Sequence, residues 1–297
     1  MPRPTPPQPT KLLLSDLRVA YHAAVCAQLV RYDEDGVPNM ADGSNKRSVA
    51  IAKRMIQSLN MEVSEGDVTR QAKGSSFSTM TADFLRGAFA RLQHIRPGEW
   101  TFSTSQGDGG IAKFAQYAHI TEIQAVLKEH PKLRASLGGD YLITPDIVVS
   151  HRPLTDKEIN VARPFVRAGD TCARRTPIRE GNVAGNPSIL HASVSMKWSI
   201  RSDRSQNSRT EALNLIRNRK GPTPRIVVVT FEPLPSRIAS IAMGTGDVDC
   251  TYHAALDELL AAVKSEDASG GYLDVLEMLV NGQRLRDISD LPLDLAS

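Results

Sequence analysis

Apolar residues return at three- and four-residue spacing through KLLLSDLRVAYHAAVCAQLV, and this spacing predicts an amphipathic helix over residues 11–30. A second helix is expected over about 46–59, with Asn45 or Ser44 as its N-cap. A third is expected over 75–93, where Phe77, Met80, Phe84, Leu85, Phe89 and Leu92 form a broad stripe. WTFS at 100–103 reads as a strand, and a helical stretch follows QGDGG to about residue 137, interrupted at Pro131. YLITPDIVVS reads as the next strand, because the Thr144-Pro145 step forces extended backbone. Residues 152–187 are polar, scattered with Pro and Gly, and are expected to be irregular. Regular pattern resumes with a strand over 188–198, a helix over about 206–218, the apolar strand RIVVVTF and several C-terminal helices.

Strands separated by helices predict an α/β fold with a mixed central sheet flanked by helices. The first ten residues, with five prolines, are expected to be a flexible arm, and 11–297 a single domain. No run approaches the roughly 18 apolar residues of a spanning helix, and the N-terminus has no apolar run of a secretory signal. The expectation is a cytoplasmic protein with no membrane partner. Cys26, Cys172 and Cys250 are too scattered for a metal-binding pair and too few for two disulfides.

Chemistry is concentrated in ILHASVSMKW. Period-two alternation puts Ser193, Ser195 and Lys197 on one face and Ala192, Val194, Met196 and Trp198 on the other. A lysine at the end of a buried strand, with an acid such as Asp146 at the start of another, suits metal-dependent phosphodiester hydrolysis. Glu211, 14 residues after Lys197, could return a second carboxylate. The alternative is that Lys197 snorkels at a strand end while Asp146 merely follows Pro145 in a turn.

Net charge is only +3, which leaves nucleic-acid binding undecided until the charge is mapped. Between Lys197 and Lys220 there are seven basic residues (Lys197, Arg201, Arg204, Arg209, Arg217, Arg219, Lys220) against Asp203 and Glu211, a local basic patch. Arg201, Asp203 and Arg204 are placed just before the 206–218 helix, and arginine and aspartate are the side chains that read G and C in a major groove. A solvated helix face is the competing account. Aromatic residues make up 5% of the chain, too few for stacking platforms, so duplex DNA is the favoured nucleic acid. QGDGG and GTGD lack the context of a phosphate loop, and no nucleotide cofactor is expected; the seven histidines include no zinc motif.

SVSMKWSIRSDRSQNSRTEALNLIRNRKG, preceded by TPDIVV, resembles the NgoMIV family of type II restriction endonucleases, which cut sites with a CCGG core. The resemblance extends through ADGSN, FARLQHIRPGEW, GDYLITPDIVVS, IVVVTFEPLPSRIASIAMGTGDVDC and NGQRLRDISDLPLDLA. It implies a PD-(D/E)XK restriction-endonuclease-like fold whose second acid has moved onto the following helix. It also implies Asp146, Glu211 and the Met196 carbonyl as Mg2+ ligands, Lys197 as the catalytic lysine and Ser195 lining the same face. By the same likeness Arg201, Asp203 and Arg204 read the CCGG core, Arg237, Asp42 and Ser44 the outer G·C pair, and Gln71 the minor groove. The implied activity is double-strand cleavage of GCCGGC after the first G, leaving four-base 5′ overhangs, by a homodimer that can pair into a tetramer. One position departs: the family's glutamate after Q-x-x-G-x-x-F is Ser78 here, which leaves a DNA-binding protein with impaired cleavage as the alternative. Asp83, five residues on, projects from another side of the helix.

Overall fold

The computed structural model describes residues 13–64, 70–104, 110–132, 145–200, 202–244, 246–267 and 270–297. The N-terminal arm expected over 1–10 lies outside them.

Among the described residues six strands form one sheet in the order β1 to β6: β1 Trp100–Ser103, β2 Ile147–His151, β3 Ile189–Lys197, β4 Arg225–Thr230, β5 Cys250–His253 and β6 Leu285–Asp287. The first two pairings, β1–β2 and β2–β3, are antiparallel, and β3 through β6 run parallel. The sheet is therefore mixed and flanked by helices, as expected. Parallel strands are covered on both faces, which is why β4 reads as an unbroken Ile-Val-Val-Val run, all of it buried.

Among the described residues the helices are α1 Leu14–Gln28, α2 Lys46–Leu59, α3 Arg70–Phe89, α4 His119–Glu129, the single turn α5 Asp156–Ile159, α6 Ser202–Asn218, α7 Pro235–Ala242, α8 Leu256–Glu266, α9 Gly271–Asn281 and α10 Leu291–Ala296. Helix α2 forms because Ile51, Ala52, Met55, Ile56 and Leu59 share a buried face. Asn45 starts it, its side chain accepting the N–H groups of Arg47 and Ser48 at 3.0 and 3.1 Å. That face packs on α8, and α1 packs on α3.

Several boundaries depart from the sequence pattern. Helix α3 begins at Arg70 rather than 75 and ends at Phe89. The stretch before Pro131 splits into a 3-10 turn, Gly110–Lys113, and α4; residues 133–144 lie outside the described set. Strand β2 starts at Ile147, one residue after Asp146. The excursion over 152–187 is irregular except for α5, where Thr155 and Glu158 form a capping box. Helix α6 starts at Ser202, so Asp203 and Arg204 lie inside its first turn and not before it. The short strands β5 and β6 were not separated from the C-terminal helices by pattern alone.

Two features set the position of β3. Its register with β2 slips between Val149 and Ser150, leaving His191 as the extra residue of a bulge. Below Ala192, where β4 begins to pair, Gln116 substitutes for a strand, its amide serving both the N–H (3.0 Å) and the carbonyl (2.7 Å) of Leu190. At the other end, the Lys197 carbonyl accepts from the Thr230 hydroxyl at 2.8 Å and from Phe231 N–H at 3.3 Å. Lys197 is thereby held at the carboxyl ends of two parallel strands, where the sheet opens a crevice.

Candidate active site

Asp146 is tied to β3 by a hydrogen bond: its Oδ2 accepts the N–H of Met196 at 2.7 Å. The β2–β3 ladder ends at Ile147 opposite Val194, so Asp146 takes over where the backbone pairing stops. In extended backbone the N–H and C=O of one residue point to the same side, which directs the Met196 carbonyl towards the side occupied by Asp146.

On the neighbouring face of β3, Ser195 donates from Oγ to Glu211 Oε2 at 3.2 Å. Glu211 is half-buried on the third turn of α6. Burial raises its carboxyl above the ordinary carboxylate range, and the charge of Asp146 pushes the same way, while Lys197 and the Ser195 hydroxyl oppose both. Asp146, Ser195, Met196, Lys197 and Glu211 therefore come together at the end of β3. Two carboxylates facing each other in a partly buried crevice are mutually unfavourable unless a cation compensates them. Carboxylate and carbonyl oxygens are also the donors a hard divalent ion prefers. The residues fit such an ion, although among the described residues no three His, Cys, Asp or Glu side chains converge on one point.

Ser78 is buried in α3 and donates back to the Gly74 carbonyl at 2.9 Å. Its neighbour Phe77 packs edge-on against Trp198, 5.2 Å between ring centres, so this helix leans on the residue next to Lys197. Asp83 is exposed and paired with Arg86, so it brings no charge to the crevice.

A second polar cluster unites residues far apart in sequence. Arg237, on the first turn of α7, forms an ion pair with Asp42, 195 residues away. Asp42 Oδ1 accepts the hydroxyl of Ser44 at 2.6 Å and its N–H at 3.1 Å. The Ser44 hydroxyl above all, with the Arg237 charge, holds Asp42 below its usual range. Beneath the pair lies Glu232, fully buried, which sequence reading passes over. An acid closing the apolar run IVVVTF is the signal that could have found it, by the reasoning applied to Lys197.

Arg201 lies outside the described residues, as do the side chains of Gln71, Asp203 and Arg204, whose backbones belong to α3 and α6. Part of the basic run is engaged within the protein. Arg209 donates to the Ser240 carbonyl at 2.8 Å, tying α6 to α7, and Arg219 donates to the Ile216 carbonyl. All three cysteines are free, Cys172 exposed and the others buried. No helix among the described residues is long and apolar enough to cross a membrane.

Comparison with known proteins gives a family model, NgoMIV restriction enzyme, matching residues 21–297. The type II restriction enzyme NgoMIV of Neisseria gonorrhoeae is 46% identical over 290 residues, covering 96% of this chain and 99% of that protein. Among solved structures, a complex of the restriction endonuclease PspGI with substrate DNA aligns over 86% of this chain and 95% of that chain. Its identity is 13% and its TM-score 0.27, too low to carry an argument.

Proposed function

Since the chain belongs to the NgoMIV restriction enzyme family, we propose that it is a type II restriction endonuclease that hydrolyses both strands of a palindromic duplex in the presence of Mg2+. The observation that carries this reading is the convergence of Asp146, Lys197, Glu211 and Ser195 at the carboxyl end of β3. Asp146, Glu211 and the Met196 carbonyl would hold Mg2+, which when bound supplies Lewis-acid stabilisation of the scissile phosphate. Lys197 carries its ammonium into the same crevice, where it orients the attacking water and offsets the charge that grows on the phosphate oxygens. Ser195 fixes the orientation of the Glu211 carboxylate through its hydrogen bond.

The site we propose is GCCGGC, cut after the first G to leave four-base 5′ overhangs. Arg201, Asp203 and Arg204 read the CCGG core, the last two from the first turn of α6. Arg237, Asp42 and Ser44 read the outer pair, with Gln71 on the minor-groove side. The arrangement of Asp42 between Ser44 and Arg237 supports this assignment, because a guanidinium steadied by a carboxylate presents its remaining N–H groups in a fixed plane to guanine O6 and N7. A palindrome is matched by a two-fold homodimer, one half-site per subunit, and two such dimers can pair into a tetramer.

Ser78 favours a second reading, site-specific binding with impaired cleavage, because a serine bonded back to its own helix adds no negative charge to the crevice. One experiment separates the two. The protein is incubated with a GCCGGC duplex in Ca2+ for binding and in Mg2+ for cleavage. Cleavage in Mg2+ supports the endonuclease; binding with no cleavage at any excess of protein supports the second reading; neither binding nor cleavage contradicts both.

A further inference from the structure

Glu232 is a carboxylate with no exposure to solvent, and the chemistry proposed above does not use it. Burying such a group is costly unless its oxygens are occupied. Both are. Oε2 accepts the N–H of Ile200 at 2.6 Å, and Oε1 accepts the N–H of Leu234 at 3.1 Å. The main chain of Glu232 is equally fixed: its N–H donates to the Thr230 hydroxyl at 3.1 Å, and its carbonyl accepts from His253 Nε2 at 3.1 Å.

The two N–H groups belong to different pieces of the recognition surface. Ile200 is the residue immediately before Arg201 and α6. Leu234 is the N-cap residue of α7, three positions before Arg237. Arg237 also lies over Glu232, its Nη1 4.0 Å from Oε2, while its Nη2 side pairs with Asp42.

We propose that Glu232 is a positioning residue for sequence recognition, one carboxylate joining the segment that reads the core to the helix that reads the outer pair, so that discrimination at the two is coupled. This rests on the reading of Arg201, Asp203, Arg204 and Arg237 given above. Glu232→Gln tests it with little change in shape: an amide has one acceptor oxygen, so one of the two N–H groups faces an NH2 and loses its bond.

The experiment measures affinity in Ca2+ for three duplexes: GCCGGC, one altered at the outer pair and one altered in the core. Wild-type protein with no preference among them overturns the underlying reading. With wild-type preference established, Glu232→Gln is expected to lower both the outer and the core preference about tenfold, at unchanged affinity for random duplex. Arg237→Ala is expected to lower the outer preference alone. Glu232→Gln that keeps both preferences, or loses only one, overturns the coupling.

Should Glu232→Gln fail to fold, the wild-type protein supplies its own test along pH. Burial pushes the Glu232 carboxyl up to about 7 against the pull of the two N–H groups and Arg237. The groups facing it are Arg237 on α7, Asp42 ahead of α2 and His253 on β5; burial holds His253 down at about 4, so it stays neutral in this range. Protonation weakens the tether, so both preferences are expected to fall together as pH drops from 8 to 6. Preferences that stay flat over that range overturn the proposal.

Discussion

At the scale of single residues, binding and cleavage are predicted to separate cleanly. Lys197→Ala removes a charge proposed to act as the transition state forms, and its cleavage rate in Mg2+ should fall by at least about a hundredfold. Its affinity for the same duplex in Ca2+ should be close to wild type. Asp146→Ala should abolish cleavage as well, since it removes both a proposed metal ligand and the contact to Met196 N–H. Single-turnover rates alongside gel-shift affinities check both variants; a Lys197→Ala protein that cuts at the wild-type rate removes Lys197 from the site. For readout, Arg204→Ala is expected to lose specific binding altogether. Arg237→Ala is expected to keep the core strict and relax the outer position, because a bidentate arginine would contribute about 1–3 kcal/mol of discrimination per guanine.

Among the elements, α3 is where a substitution is most informative. Ser78→Glu places a carboxylate on the helix that leans on Trp198 through Phe77, and the Mg2+-dependent rate is expected to hold or rise. A large loss of rate with unchanged thermal unfolding would mean that the pocket is built around serine. The elements also differ in how far the sequence exposed them. Strand β3 was legible because its alternation of small polar and apolar residues has period two, and the same alternation marked Ser195 and Lys197. The apolar pattern of helix α6 starts four residues after the helix itself, because SDRS carries no apolar periodicity. Strands β5 and β6 span four and three residues and are buried among helices, too short for a period to register. Asp42 and Arg237 meet only because the loop before α2 and the start of α7 come together in the fold, which no local pattern encodes. The place of Glu232 after the run IVVVTF hints that it is buried, but its partners are backbone N–H groups, so what it holds is not legible in the sequence.

For the molecule as a whole, the two ends of the chain are joined by Arg18 of α1, which donates to Glu258 of α8 at 2.7 and 2.8 Å and to Asp287 of β6 at 2.8 and 2.9 Å. Asp287 also accepts the N–H of Leu256 at the start of α8. Burial is the largest single influence and would raise both carboxyls, but the hydrogen bonds and charge of Arg18, together with other hydrogen bonds to each carboxylate, outweigh it and both lie below their usual range. Depressed carboxyls stabilise the folded state above their unfolded values, so this contribution is present above about pH 4 and is lost as pH falls below it. Arg18→Ala leaves buried Asp287 and half-buried Glu258 without their arginine and should cost about 3–5 kcal/mol, with acid unfolding moved to higher pH, as read by denaturant melts across pH. Digesting plasmid DNA in Mg2+ and sequencing the ends tests whether Asp146, Lys197 and Glu211 form a site-specific cutter of duplex DNA. Every end is predicted to fall after the first G of GCCGGC with a four-base 5′ overhang. Ends scattered without a common site, or a plasmid left intact, would contradict it.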